Sequence, residues 1–153
     1  LKSKILAFSV LVMFFLSGQA QVLAYESKIK PEAFQDIGVH TIFDPSFQYL
    51  DDGSGNLSYL DNGKVSVWGS TLGTRRVDTI GVQVTLQRWT GIQWIDVNTG
   101  TNSTFSNASY ASSSREITVS PGYYYRVKSK HWILYGDIRE EGTVYSSSLL
   151  ISN

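Results

Sequence analysis

The sequence predicts an all-β fold, an antiparallel β-sandwich of about seven or eight strands behind an N-terminal signal peptide. Two observations carry this. From Phe47 onward apolar and polar residues alternate with period 2, and turn signals rich in Gly, Asn, Asp and Pro recur at intervals of about 8–12 residues. No segment after the signal shows the 3.6-residue apolar period of a helix, and a small barrel is the alternative closure of the same strands.

The export segment comes first. Lys2 and Lys4 precede an apolar run, Ile5 to Leu16, interrupted only by Ser9 and ended by Ser17, Gly18 and Gln19. Such a helix spans about 18 Å, against about 30 Å for a bilayer core, so the run reads as a cleaved signal rather than an anchor. Small residues place cleavage after Ala24, or else after Ala20. The expected organisation is a signal peptide over residues 1–24, a leader over 25–46 and the sandwich over 47–153. Within the leader, Ile37, Val39, Ile42 and Phe43 suggest an edge strand. The chain has no Cys, which excludes a disulfide framework, a lipoprotein anchor and a thiol nucleophile. About 130 residues must therefore be held by their own apolar core.

The strands follow in order. Phe47 to Leu50 is the first, with Asp51 to Asn56 read as a break and Leu57 to Leu60 as its resumption. Asp61-Asn62-Gly63 suits a tight hairpin, because Asn and Gly tolerate positive φ. Lys64 to Leu72 places Val65 and Val67 on one face, with Ser66 and Trp68 on the other. Val77 to Trp89 is the clearest strand, with Ile80, Val82, Val84 and Leu86 opposed to Gln83, Thr85, Gln87 and Trp89. Thr90-Gly91 turns the chain into Ile92 to Val97. Segment 98–114, uncharged and dominated by Ser, Asn and Thr, is either a loop or a polar edge strand. Glu116 to Val119 leads through Ser120-Pro121-Gly122 into Tyr123 to Tyr135, where Tyr123, Tyr125 and Val127 oppose Tyr124, Arg126, Lys128 and Lys130. After Gly136-Asp137, Thr143 to Ile151 closes the domain.

The segment from Ile117 through Ser120-Pro121-Gly122 to Tyr125 and Val127 resembles the approach to strand F in fibronectin type III and immunoglobulin-like sandwiches. That resemblance implies a tyrosine corner at Tyr125, its hydroxyl bonded back to the backbone upstream. Residues 57–151 as a whole resemble small secreted single-domain immunoglobulin-like proteins of Gram-positive bacteria. The matching features are Asn62-Gly63-Lys64, Val82 to Arg88, Gln93-Trp94 with Val97, Gly122 to Lys128, and Tyr145-Ser146-Ser147. The resemblance implies an immunoglobulin-like fold and an extracellular location, and no activity.

Most chemistries lack their residues. The formal net charge is zero, which argues against a nucleic-acid partner. Membrane contact is expected only through the signal peptide during export. The two histidines, His40 and His131, sit in the leader and within a strand, and Gly69-Ser70-Thr71-Leu72-Gly73 has its Ser one place early for a nucleophile elbow. Asp51, Asp52 and Asp61, with Ser54 and Asn56, are read as turn residues rather than a carboxylate pair or a calcium loop. No cofactor, metal or catalytic residue is expected.

One constellation points to binding. If the strands 77–89 and 123–135 are neighbours, Trp89, Tyr124, Arg126, Lys128 and Trp132 share an outward face with Gln83, Thr85, Gln87 and Lys130. Aromatic rings beside polar donors suit a sugar polymer or a protein surface. The expected function is a secreted, non-enzymatic domain binding cell-wall polysaccharide or an extracellular protein. The alternatives are a structural matrix protein without a discrete site and, further off, a hydrolase.

Overall fold

The computed structural model describes residue 31, residues 43–100 and residues 102–152. The signal peptide, the leader strand around Ile37 to Ile42 and His40 lie outside the described residues. The described chain contains strands and turns without a helix: β1 (Leu50–Leu60), β2 (Lys64–Trp89), β3 (Trp94–Thr99), β4 (Ser103–Thr118), β5 (Tyr123–Tyr135), β6 (Ile138–Tyr145) and β7 (Leu149–Ile151). All pairings are antiparallel within one seven-stranded sheet.

The sheet is organised by β2, which the sequence pattern divides into two strands. Its first half buries Val65, Val67, Gly69, Thr71 and Gly73, and its second half buries Ile80, Val82, Val84 and Leu86. The inward positions change from odd to even between the halves, and there the ladder to β4 loses register, between Leu72 and Val77. Five positions of β2 there face two of β4, and extra residues of this kind bend a strand. The bend brings β2 back over itself, so that a side chain at Gly69 would run into Val84 and Val82 of the same strand.

One edge of β2 is paired along its length by β4 and β3, which continue each other. Lys64 pairs with Thr118 at one end and Trp89 with Trp94 at the other. The break between β3 and β4 keeps the ladder through a bond from Gly100 N–H to Val84 O at 2.8 Å. The other edge pairs β1 with the first half and β5 with the second. Folding β2 therefore lays β1 against β5 and closes a two-layered, sandwich-like core. Segment 98–114 is mostly edge strand, and its polarity fits a strand with one face in water.

One sequence reading is corrected here. Asp51 to Asn56 does not break a strand but lies within β1. Gly53 and Gly55 are inward positions where the opposite layer leaves no room, since a side chain at Gly53 would meet Phe43 and His131 and one at Gly55 would meet Ser129 and Val127. Close approach of two layers, rather than a turn, explains these glycines. By contrast, Asn62 and Gly63 do form the expected hairpin, with φ of 67° and 71°. Val82, Val84, Leu86 and Tyr125 lie in the core, as their alternation predicts.

Candidate functional site

The outward face of the layer built by β3, β2, β5 and β6 carries the residues that the sequence brings together. Register explains why. Gln83 stands opposite Lys130, Thr85 opposite Lys128, Gln87 opposite Arg126 and Gly81 opposite Trp132. Directly opposed residues share a face, so the parity and adjacency expected for this surface both hold.

The side chains are less uniformly exposed than that pattern suggests. Trp132 is only 8% exposed. Its partner Gly81 has no side chain, and the Trp132 indole lies over the vacancy, where any side chain at Gly81 would collide with it. An aromatic ring covering a cross-strand glycine restores the packing that the glycine lacks. Arg126 is 7% exposed, and its guanidinium is stacked between the Trp94 ring at 4.4 Å and the Tyr145 ring at 4.3 Å. Its Nε also donates to Gln87 Oε1 at 2.8 Å. Arg126 thus braces two aromatics rather than projecting into solvent, and burial lowers its pKa from the ordinary value.

The polar groups beside it are tied together. Gln87 Nε2 donates to Asp96 Oδ1 at 2.7 Å, and Lys128 Nζ lies 2.8 Å from Asp96 Oδ2. The hydrogen bond from Lys128 is the main cause holding the Asp96 carboxyl below its usual range; partial burial works against it and Gln87 with it. Further along, Lys130 pairs with Glu141 at 3.2 Å. Thr85 and Gln87 are buried beneath these side chains.

The exposed aromatic surface collects at one end of this face. Trp94 stands opposite Trp89, with ring centroids 5.3 Å apart, and Tyr124 stands opposite Leu150. Trp89, Trp94 and Tyr124 are half-buried, while Tyr145 is 47% exposed. Ile92, 75% exposed, caps the β2–β3 turn. That turn is closed by the Thr90 N–H to Gln93 O bond at 3.0 Å and by Thr90 Oγ1, which accepts from Gln93 N–H at 3.1 Å. The Trp89 indole N–H is buried with no acceptor among the described residues.

Sequence reasoning brought Trp89, Tyr124, Arg126 and Lys128 to this face correctly but missed Trp94 and Tyr145 as members. Trp94 was legible, because a Thr90-Gly91 turn places it across from Trp89. Tyr145 was not, because its position depends on β6 pairing with β5, where Lys128 opposes it.

The remaining candidates are placed elsewhere. His131 lies fully buried on the inward face of β5, bonded through Nδ1 to Thr71 Oγ1 at 2.8 Å. Asp51 and Asp52 lie in β1 and Asp61 in the following turn. Comparison of the chain with protein-family models, with curated proteins and with solved structures finds no match.

Proposed function

We propose that the chain is a secreted immunoglobulin-like recognition domain without enzymatic activity, binding cell-wall polysaccharide or an extracellular protein through the aromatic end of its outer face. The observation that carries this reading is the cluster Trp94, Trp89, Tyr124 and Tyr145, fixed around the stacked Arg126. Rings whose orientation is set before binding lose little conformational freedom when a ligand arrives. Two further features support the immunoglobulin-like reading. The connectivity, β1–β2–β4 in one layer and β3–β2–β5–β6 in the other, follows the A–B–E and C′–C–F–G orders of such sandwiches. Tyr125 Oη donates to Ser120 O at 2.9 Å, five residues upstream, as a tyrosine corner does. The signal-like residues 1–24 support secretion, and His131, sealed in the core beside Thr71, supports a non-catalytic reading.

The test is retention of the secreted protein on purified cell wall, on polysaccharide resins and on immobilised culture-supernatant proteins. The double variant Trp94→Ala, Tyr124→Ala is expected to lose at least about tenfold in retention, or about 1.4 kcal/mol. Equal retention by both proteins refutes the aromatic face, and no retention on any matrix favours a structural protein without a discrete site.

A further inference from the structure

A second site lies on the side of the sandwich where the β3 and β4 edges of the two layers approach each other. A cavity of about 270 Å³ opens there, with Val67 of one layer and Val84 of the other among its lining residues. Ile117 adds apolar wall, and Asn98, Ser113 and Arg115 supply its polar groups.

Register gives Arg115 its significance. It stands opposite Val67 on β2, and Ile117 stands opposite Val65. Both partners are inward core residues, so Arg115 belongs to the inward face of its layer. Its side chain is nevertheless exposed, so the guanidinium stands at the open rim of the cavity, within reach of a ligand, rather than in the core. Among the described residues no carboxylate lies within ion-pair distance of Arg115. The neighbouring Glu116 faces the other way and pairs with Lys64 at 3.6 Å. Among the described residues the one polar contact of the Arg115 guanidinium is Asn98 Oδ1, across the gap between the layers, at 3.5 Å. That distance is at the limit of a hydrogen bond and leaves most of the five N–H donors facing solvent at the mouth of the cavity, open to a ligand.

We propose that this cavity binds a small carboxylate with a short apolar chain, the carboxylate on Arg115 and the chain against Val67, Val84 and Ile117. The fit follows from the chemistry of the walls. A planar guanidinium takes a carboxylate through two parallel hydrogen bonds, and Asn98 and Ser113 stand beside it as further polar partners. An apolar pocket with a few converging polar groups is the usual form of a small-molecule site. The volume equals roughly nine waters at about 30 Å³ each, room for a chain of about six carbons. This site is separate from the outer aromatic face and does not depend on it.

The experiment titrates the secreted protein with hexanoate and, separately, with its neutral isostere hexanamide, following backbone amide NMR signals. Hexanoate is expected to shift the signals of Val67, Val84, Asn98 and Ile117, and hexanamide to bind at least about tenfold more weakly. Arg115→Gln should bring hexanoate down to the hexanamide level with an unchanged melting temperature, and Arg115→Lys should restore part of the difference. Equal binding of the two probes, or no shift at these residues, overturns the proposal. So does an Arg115→Gln protein that keeps its hexanoate affinity but self-associates. In that case the arginine is an inward charge that protects the β4 edge from strand addition.

Discussion

Thr71 and His131 are joined across the two layers by a 2.8 Å hydrogen bond whose direction the surroundings fix. Thr71 Oγ1 has one proton, and it donates that proton to Gly81 O at 2.9 Å. It must therefore accept from His131 Nδ1–H. The imidazole is thus the neutral Nδ1–H tautomer, and its Nε2 is buried with no partner among the described residues. Phe43, whose ring centroid lies 5.6 Å away, and Gly53 pack against the same ring.

The first prediction is a loss of stability in mild acid. Burial holds the His131 pKa down at about 4, against 6.5 for a free imidazole, with the charge of Asp52 opposing part of that shift. A histidine whose folded pKa is lowered binds its proton more readily when unfolded. Its neutral form therefore contributes fully above about pH 6.5, and stability falls as pH drops from 6.5 towards 4. The difference corresponds to about 3 kcal/mol at most, at 1.36 kcal/mol per pH unit. Urea unfolding between pH 7.5 and 4.5 should show this decline, and His131→Gln should flatten it even if the variant is weaker throughout. An identical pH slope in the variant would mean that another group controls acid unfolding.

A second prediction concerns Glu140, which holds the chain entering β1. Its carboxylate accepts three backbone N–H bonds, from Gln48 at 2.6 Å, Tyr49 at 2.9 Å and Leu50 at 2.6 Å. Glu140 stands opposite Ile133, on the inward side of β6, and is itself buried. Glu140→Ala leaves three donors without their acceptor, at a cost of about 3 kcal/mol. Hydrogen exchange should show Gln48, Tyr49 and Leu50 losing protection before the β2–β5 ladder does. Protection that falls uniformly along the chain would contradict a local clamp.

A third prediction tests the close approach of the layers. Gly53→Ala puts a methyl group where Phe43 Cζ would be 2.6 Å away and His131 Cγ 2.8 Å away. Overpacking of this kind costs about 1–3 kcal/mol. The control Ser58→Ala, at an exposed site on the same strand, should change stability by less than about 0.5 kcal/mol. Near-equal urea midpoints for the two variants would show that β1 can move away from β5.

These glycines also mark how far the sequence could be read. The faces of β2 and β5 were legible because Val82, Val84 and Leu86 alternate with polar residues, and so do Tyr125 and Val127. Alternation is a local property, and it located the outward face without knowledge of the fold. The continuity of β2 was not legible. The polar, exposed stretch around Arg75 and Arg76 has the composition of a loop, yet there the strand changes parity and bends. Gly53 and Gly55 were misread for the same reason, since a glycine needed for a turn and one needed for close approach look alike in one dimension. Trp132 was placed on the correct face with the wrong exposure. Parity fixes direction, whereas burial depended on the small partner Gly81 in another strand.

Trp132 supplies a fourth prediction. The ring covers Gly81 and is nearly buried, so Trp132→Ala should destabilise the domain by about 3 kcal/mol, as truncation of a large buried aromatic does. Thermal or urea unfolding measures this directly. A loss under about 0.5 kcal/mol would place the ring in solvent and return Trp132 to the ligand-facing set.

The last prediction assigns Arg126 a positioning role. Its guanidinium touches the faces of Trp94 and Tyr145 and hydrogen-bonds Gln87, so it orders the aromatics that are proposed to meet the ligand. Lysine keeps the charge but has no planar group to stack between two rings and no fixed fork for Gln87. Each stack is worth about 0.5–2 kcal/mol, so Arg126→Lys should lower stability by about 1–3 kcal/mol. The more specific consequence is loss of order at Trp94. Near-UV circular dichroism of the indoles should weaken, and retention on the matrix that holds the wild type should fall, although lysine is positive too. If Arg126→Lys keeps the indole signal and loses retention, the guanidinium contacts the ligand itself. If it keeps both, neither the brace nor a direct contact is needed, and the aromatic end is ordered by the Trp89–Trp94 pairing alone.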